Sequence, residues 1–493
     1  MTLPAGLDPH SPVIVGVGQL LDRDGGREPI DLIVDAIAAA EADAGVTGLA
    51  ARADVIGVVP MVSWRYLDPA APIAERIGAA PAERWYPSMG GNTPQQLVNK
   101  AALAISSGES RVAIVCGGEA FKTRMAARKA GEHLDWLKQD GDTAPTWGDT
   151  KLDMGHPAEV ARGILMPTQV YPMFENALRH QAGRTAAEHT AVIAELWAGF
   201  SAVAATNPYS VDRVARTAEE IATVTASNRI IGFPYSKHMV SNPDLDSSSA
   251  AILCSAEVAD AAGISRDRWV FVWSGTDGAD PYMSERQDFT SSAAMRVAGN
   301  AALDLAGVSI DEVAHLDVYS CFPSAVELAC GELGIGLDRQ LTVYGGLCFA
   351  GGPWNNPVGH AIAAMCDVLR GDAGSVGLVT ANGGLVQKHA FGVYSTEPPT
   401  NGFRLAHPQF AIDAAATRRQ VAADHQGPAT VETWTVMHER DGSRALGIVA
   451  ALTPDGARTW GLSRDQETLA TMETDDLVGA AATVGAEGQL ELA

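Results

Sequence analysis

Apolar runs of four or five residues alternate with helical patterns over most of the chain. Val13-Ile14-Val15-Gly16-Val17 and Val55-Ile56-Gly57-Val58-Val59 have the length and β-branched content of buried strands. Val112–Cys116, Trp269–Trp273, His315–Tyr319 and Val376–Thr380 have the same character. Between the first two runs, Ile30, Ile33, Ile37 and Ala40 fall on one helical face. Continuous apolar strands separated by helices predict an α/β fold whose sheet is parallel-rich and covered on both faces.

Two segments repeat. Near residue 100 the order is Asn92-Thr93-Pro94, an Ala-rich helix, Ser107-Gly108-Glu109, a strand and Gly117-Gly118. Near residue 360 it is Asn356-Pro357, an Ala-rich helix, Arg370-Gly371-Asp372, a strand and Gly383-Gly384. Each proline suits a first helical turn and each glycine a helix C-cap. The recurrence predicts a duplicated half. Residues 131–235 read as mostly helical, with one long helix over Thr185–Thr206. After Pro398-Pro399 the pattern becomes β-rich: Thr430–Met437 alternates with period two, and Asp441-Gly442 signals a hairpin. The expected division is 1–130, a first half; 131–235, a helical insertion; 236–404, a second half; and 405–493, a small antiparallel β-barrel.

Composition narrows the function. With 46% hydrophobic residues among 493, large cores can be buried. The 59 acidic and 35 basic residues give a net charge of −24, which argues against nucleic acid or an anionic membrane as partner. No apolar run is long enough for a transmembrane segment, and the first residues lack a signal-peptide pattern, so a cytoplasmic location is expected. The six cysteines form no C-x-x-C pair and no zinc-finger spacing, so no metal is expected. Gly16-Val17-Gly18 lacks the third glycine of a dinucleotide fingerprint.

Over roughly residues 10–400 the chain resembles the thiolase superfamily. Ser106–Ala120 is similar to a thiolase helix–strand block ending in a glycine pair and a glutamate. Met154-Gly-His-Pro-Ala-Glu159 looks like a loop-domain motif, and Asn207-Pro-Tyr-Ser210 resembles the sterol-carrier type. Val318–Phe322 resembles that subfamily's H-D-C-F, and Gly345–Pro353 its glycine-rich G-H-P segment. The resemblance implies the thiolase fold: two similar βαβαβαββ halves in αβαβα layers, with an inserted helical loop domain. It also implies that the catalytic set is missing. The nucleophilic cysteine falls on Gly91, the G-H-P histidine on Gly352, the second cysteine on Thr380 or Ala381, and the oxyanion-water ligand on Tyr319. A glycine is neither a nucleophile nor a base, so thiolase turnover is expected to be absent. This pattern, with an added C-terminal domain, is similar to the type-1 thiolase-like proteins of mycobacteria and related actinobacteria, often labelled acetyl-CoA acetyltransferases.

Other residues offer alternative chemistry. Cys321 is either a relocated nucleophile or a small buried apolar residue. His360 is either a base for Cys321 or Ser320 or a histidine satisfied locally. Asn355, Asn356 and Asn382 are candidate oxyanion donors. Gly90 and Gly383 would offer backbone N–H groups, Met154 an acyl-channel wall, and His389 a phosphate contact or base. Lys122, Arg124, Arg128 and Lys129 form a basic cluster on one helix. The resemblance leaves three readings. The first is a protein of lipid metabolism that binds CoA or an acyl-CoA as ligand, with no covalent cofactor. The second is an acyltransferase or aldolase-type lyase acting on a CoA thioester. The third is a non-catalytic scaffold. Ordinary thiolases dimerise through a sheet edge of the first half; the type-1 resemblance favours a monomer.

Overall fold

The computed structural model describes residues 3, 6–140 and 155–493. Four strands precede the inserted helices: β1 (Pro12–Asp22), β2 (Val55–Val58), β3 (Glu83–Trp85) and β4 (Val112–Ala120). Two short strands follow the inserted helices, β5 (Ile230–Gly232) and β6 (Tyr235–Ser236). Then come β7 (Asp246–Ser255), β8 (Val270–Ala279), β9 (His315–Asp317), β10 (Val376–Gly383), β11 (Lys388–Ser395) and β12 (Arg404–Ala406). The last strands are β13 (Gly427–His438), β14 (Arg444–Leu452), β15 (Arg458–Ser463), β16 (Ala481–Val484) and β17 (Leu490–Leu492).

The main sheet runs β3-β2-β4-β7-β1-β8-β11-β10-β9, with β12 beside β8. Its halves correspond over four strands each, with β3 an extra edge strand on the first. In the first, β2 and β4 are parallel while β4–β7 and β7–β1 are antiparallel. In the second, β9 and β10 are parallel while β10–β11 and β11–β8 are antiparallel. The halves join only where Val13 and Ile14 pair with Phe271 and Val270. The duplication is therefore real, but the sheet is mixed rather than parallel-rich. The hairpin-like returns β7 and β11 sit in its middle, and an apolar run alone does not reveal strand direction.

Helices layer this sheet. Pro29–Asp43 packs on β1, β7 and β4, and Ala293–Ala306 packs on β8 and β11. The two repeated helices, Thr93–Ser106 and Pro357–Gly371, contact each other and strands of both halves. They form the central layer of an αβαβα stack. Pro94 and Pro357 lie in their first turns. Gly108 has φ of 78°, as a left-handed cap requires, whereas Gly371 is the last residue of its helix and adopts no positive φ.

The C-terminal sheet runs β15-β14-β13-β16-β17. It is not the closed barrel expected from the sequence. Between its ends, only Leu462 and Gln489 form a bridge, because β17 is three residues long. Closure needs a continuous ladder. The helix Gln466–Thr474 instead covers the apolar face through Leu469 and Met472. Beside β16, β13 also pairs with β5 at Met437 and Gly232. The chain that follows the inserted helices is thereby stitched into the C-terminal sheet.

Candidate functional site

The helix Thr93–Ser106 begins beside a place where two glycine pairs, Gly90-Gly91 and Gly383-Gly384, meet. A Cβ on Gly383 would lie 2.2 Å from Asn92 Oδ1 and 3.0 Å from the Gly90 Cα. A Cβ on Gly91 would lie 2.2 Å from the Tyr319 hydroxyl and 2.5 Å from the Asn382 carbonyl oxygen. The Tyr319 side chain thus occupies the space that a side chain at position 91 would need. Tyr319 is fixed by its own backbone N–H, which donates to Thr380 Oγ1 at 3.0 Å. The remaining cavity, lined by Tyr319, Thr380, Ala381, Asn382 and His389 among others, is about 10 Å³. That is at the lower limit for one water and far below the size of a ligand pocket.

The other expected positions close the place further. A Cβ on Gly352 would lie 2.0 Å from Ser241 Oγ. Ser241 N–H donates to the Cys321 carbonyl at 3.0 Å, and Asn242 N–H to that of Leu347 at 3.0 Å. Gly352 N–H donates to the Asn242 carbonyl at 2.9 Å, so three segments are tied backbone to backbone into a wall. Cys321 lies beyond that wall near Tyr171, which stacks on Phe322 at 4.5 Å. Burial pushes the Cys321 thiol up to about 12, so the thiolate that nucleophilic chemistry needs is not populated at neutral pH. Cys254, Cys330 and Cys366 are raised to about 12 by the same desolvation, and Cys116 and Cys348 higher still.

His360 does not meet Cys321 or Ser320. Its Nδ1 is 2.9 Å from Gln19 Oε1 and its Nε2 is 3.3 Å from Ser247 Oγ. Burial lowers its pKa to about 4, which keeps the ring neutral. Ser320 Oγ accepts from Leu347 N–H at 3.4 Å. The asparagines are engaged as well: Asn355 Nδ2 donates to the Pro60 carbonyl, Asn356 Nδ2 to Ser249 Oγ and Asn382 Nδ2 to the Tyr171 hydroxyl. His389 is 1% exposed and 3.6 Å from Asp280 Oδ2, so it reaches no surface phosphate. The Asp280 carboxyl, though desolvated, is held well below its usual range by Arg286 and His389. Met154 lies outside the described residues. Of the basic cluster, Arg124 Nη1 is spent on the Val62 and Ser63 carbonyls and Lys122 Nζ on that of Arg23.

Two features escape sequence reasoning. The first is a buried cluster of Glu175, His189 and Glu327, whose ligand atoms lie within 4.8 Å of one another. These are metal-binding residue types. Yet His189 and the Tyr235 hydroxyl both bond Glu175, and the Arg184 guanidinium faces the other His189 nitrogen at 3.4 Å. Burial, with Glu175 beside it, pushes the Glu327 carboxyl far up. The arrangement reads as a proton-holding network that ties three helices together. No spacing announces it, because each member comes from a different helix.

The second is a cleft of about 750 Å³ on the solvent side of the wall. Ser241, Asn242, Cys348 and Phe349 form its floor, and Arg229, Lys237, His238 and Arg440 line its sides. Arg216 is paired with Asp212 at 2.6 Å. Arg229, Lys237 and Arg440 have no carboxylate partner among the described residues. Three unpaired cations in one cleft are notable in a chain of net charge −24. His238 Nδ1 is buried there without a hydrogen-bond partner. The cleft was invisible in the sequence because its cations are scattered over more than two hundred positions.

Comparison with known proteins fits this geometry. Residues 409–489 match the family model of the thiolase-like protein type 1 additional C-terminal domain. A monomeric SCP2-thiolase like protein type 1 from Mycobacterium smegmatis is 31% identical over 99% of this chain and 100% of its own, with a TM-score of 0.84. The chain belongs to the SCP2-thiolase-like proteins of type 1. Two further structures share the fold. An Ltp2-ChsH2(DUF35) aldolase is 19% identical with a TM-score of 0.60, covering 79% of this chain and 99% of its own. An acetyl-CoA acetyltransferase from Syntrophomonas wolfei is 16% identical with a TM-score of 0.57, covering 79% of this chain and 100% of its own. No curated protein matches. In this type-1 thiolase-like protein the neighbours of Gly91 and Gly352 leave no room for a side chain at either position. Among the described residues no helix is long and apolar enough to cross a membrane.

Proposed function

We propose that this type-1 thiolase-like protein binds CoA or an acyl-CoA in the basic cleft and does not turn it over as a thiolase. The observation that carries the reading is the juxtaposition of an open cationic cleft with a closed centre. Arg229, Lys237 and Arg440 can receive a phosphorylated ligand, since guanidinium and ammonium groups bind phosphate strongly where they have no competing carboxylate. The floor of Ser241, Asn242, Cys348 and Phe349 separates that ligand from Tyr319 and Gly91. A thioester held in the cleft would meet no thiolate, since burial raises the Cys348 thiol, and the one imidazole there, His238, has no cysteine thiolate to activate. The Mycobacterium smegmatis relative is described as monomeric, and a monomer is the state proposed here too. In its support, the first-half edge strand β3 is only three residues long and carries Glu83 and Arg84, which discourages edge-to-edge pairing.

The test is calorimetric titration with CoA and acetyl-CoA, followed by an assay for free CoA release. Micromolar binding with no turnover is the expected result. Absence of binding at millimolar ligand would remove the reading. Thiolysis or condensation at an enzymatic rate would contradict the closed centre.

A further inference from the structure

The cleft is not built by the thiolase-like part alone. Its outer side is closed by Arg440, in the turn between β13 and β14. That turn lies within residues 409–489, the domain additional to the thiolase fold. We infer that the additional domain supplies, through Arg440, the contact that selects ligands by a multiply phosphorylated end. The inference rests on the cleft being the ligand site.

Three observations support it. The turn is held in place rather than merely near. Arg229 Nη1 donates to the Glu439 carbonyl at 3.3 Å, Phe233 N–H donates to the Val436 carbonyl at 2.9 Å, and Thr435 Oγ1 donates to the Phe233 carbonyl at 3.0 Å. The segment that carries Arg229 and the hairpin that carries Arg440 thus move as one piece. The turn itself is rigid: Glu439 N–H donates to the Ser443 carbonyl at 2.9 Å, and Asp441 Oδ1 accepts from Ser443 N–H at 2.9 Å. Gly442, with φ of 88°, permits that turn. Finally, Arg440 is exposed, and neither hydrogen bond nor ion pair ties its guanidinium to another described residue, so the charge is free to meet a ligand.

The charge arithmetic favours a head with several negative charges over a single carboxylate. Arg229, Lys237 and Arg440 are three cations with no neutralising partner among the described residues; Arg229 is half-buried, and Lys237 and Arg440 are exposed. A ligand with a nucleotide 3′-phosphate and a diphosphate could engage these cations together. Its pantetheine arm alone would engage none of them.

The experiment titrates CoA, 3′-dephospho-CoA, 3′,5′-ADP and pantetheine into the full chain and into Arg440→Glu, Arg440→Gln and Arg464→Glu. Arg464 is exposed in the same domain, outside the cleft, and controls for general charge. The expected result is a loss of about tenfold or more in CoA and 3′,5′-ADP affinity for Arg440→Glu, with a smaller loss for Arg440→Gln. Pantetheine affinity should not change, and Arg464→Glu should stay within about threefold of the wild type. Equal CoA affinity in Arg440→Glu and Arg464→Glu overturns the role of the additional domain while leaving the cleft intact. If the wild type binds none of the four, both this inference and the ligand reading fall. Unchanged thermal midpoints in all variants establish that affinity, not folding, was altered.

Discussion

At position 91 there is no room for a side chain. The Tyr319 hydroxyl lies 2.2 Å from where a Cβ would be, so Gly91→Cys cannot enter without displacing the ring. The variant should lose about 1–3 kcal/mol of stability by urea unfolding, and Tyr319→Ala should recover part of that loss in the double variant. Additive losses would show that the two side chains do not compete for the same space. The cysteines offer a second test. Burial raises every thiol, Cys321 to about 12, so the native protein should resist iodoacetamide at pH 7.5 and form no acyl adduct with acetyl-CoA by intact mass. Stoichiometric labelling of Cys321 would revive it as a nucleophile. His360 sets a pH dependence. Its pKa falls from 6.5 to about 4 on burial, so its share of stability is complete above pH 6.5 and lost as pH falls toward 4. Between pH 7 and pH 4, wild type should lose about 3 kcal/mol more than His360→Gln. Equal losses would mean that the ring titrates normally. Comparing the two proteins isolates this effect from Glu119 and Asp317. Burial raises those carboxyls to about 7 and about 6, so their share is lost as pH rises through those values. That Gly91 and Gly352 carry no side chain was legible from residue identity alone. What fills the space beside them was not, because Tyr319 and Ser241 approach Gly91 and Gly352 from distant parts of the chain.

Among the elements, strands and helices were the most legible. The run at Val13–Val17 became β1, the Ile30–Ala40 face became the helix Pro29–Asp43, and the expected Thr185–Thr206 helix appears as Ala186–Thr206 with Thr185 as its N-cap. The glycines of β1 also find their reason here. A Cβ on Gly16 would lie 2.0 Å from the Ala40 carbonyl oxygen, and one on Gly18 2.0 Å from that of Ala36. They let the helix backbone pack directly on the strand, which explains a glycine pair without any nucleotide. Gly16→Ala should therefore cost about 3 kcal/mol or more, read as a fall in the urea midpoint. A near-neutral effect would mean that the helix can shift away. Strand direction and barrel closure were less legible, because both depend on pairing between segments far apart. Period-two alternation predicts a strand but not which neighbour it joins, and β5 joining β13 shows how far that neighbour can be.

In the whole molecule, the strongest link between sequence and function is charge. A net −24 describes the chain as a whole, yet it hides a local cluster of opposite sign. The fold assembles that cluster from Arg229 and Lys237 and, far along the chain, Arg440. Binding in the cleft should weaken as salt is raised, because exposed cations are screened within about 10 Å at 0.1 M ionic strength. An affinity for CoA that is constant between 50 and 500 mM salt, as calorimetry would read it, would argue that the phosphates are not held there. The account as a whole turns on where the ligand sits. The most direct measurement is a crystal structure of the protein grown with CoA. The account predicts density for the phosphates against Arg229, Lys237 and Arg440, with the thiol stopping at the floor of Ser241 and Phe349. Density for the thiol beside Gly91 and Tyr319, with the ring displaced, would contradict it.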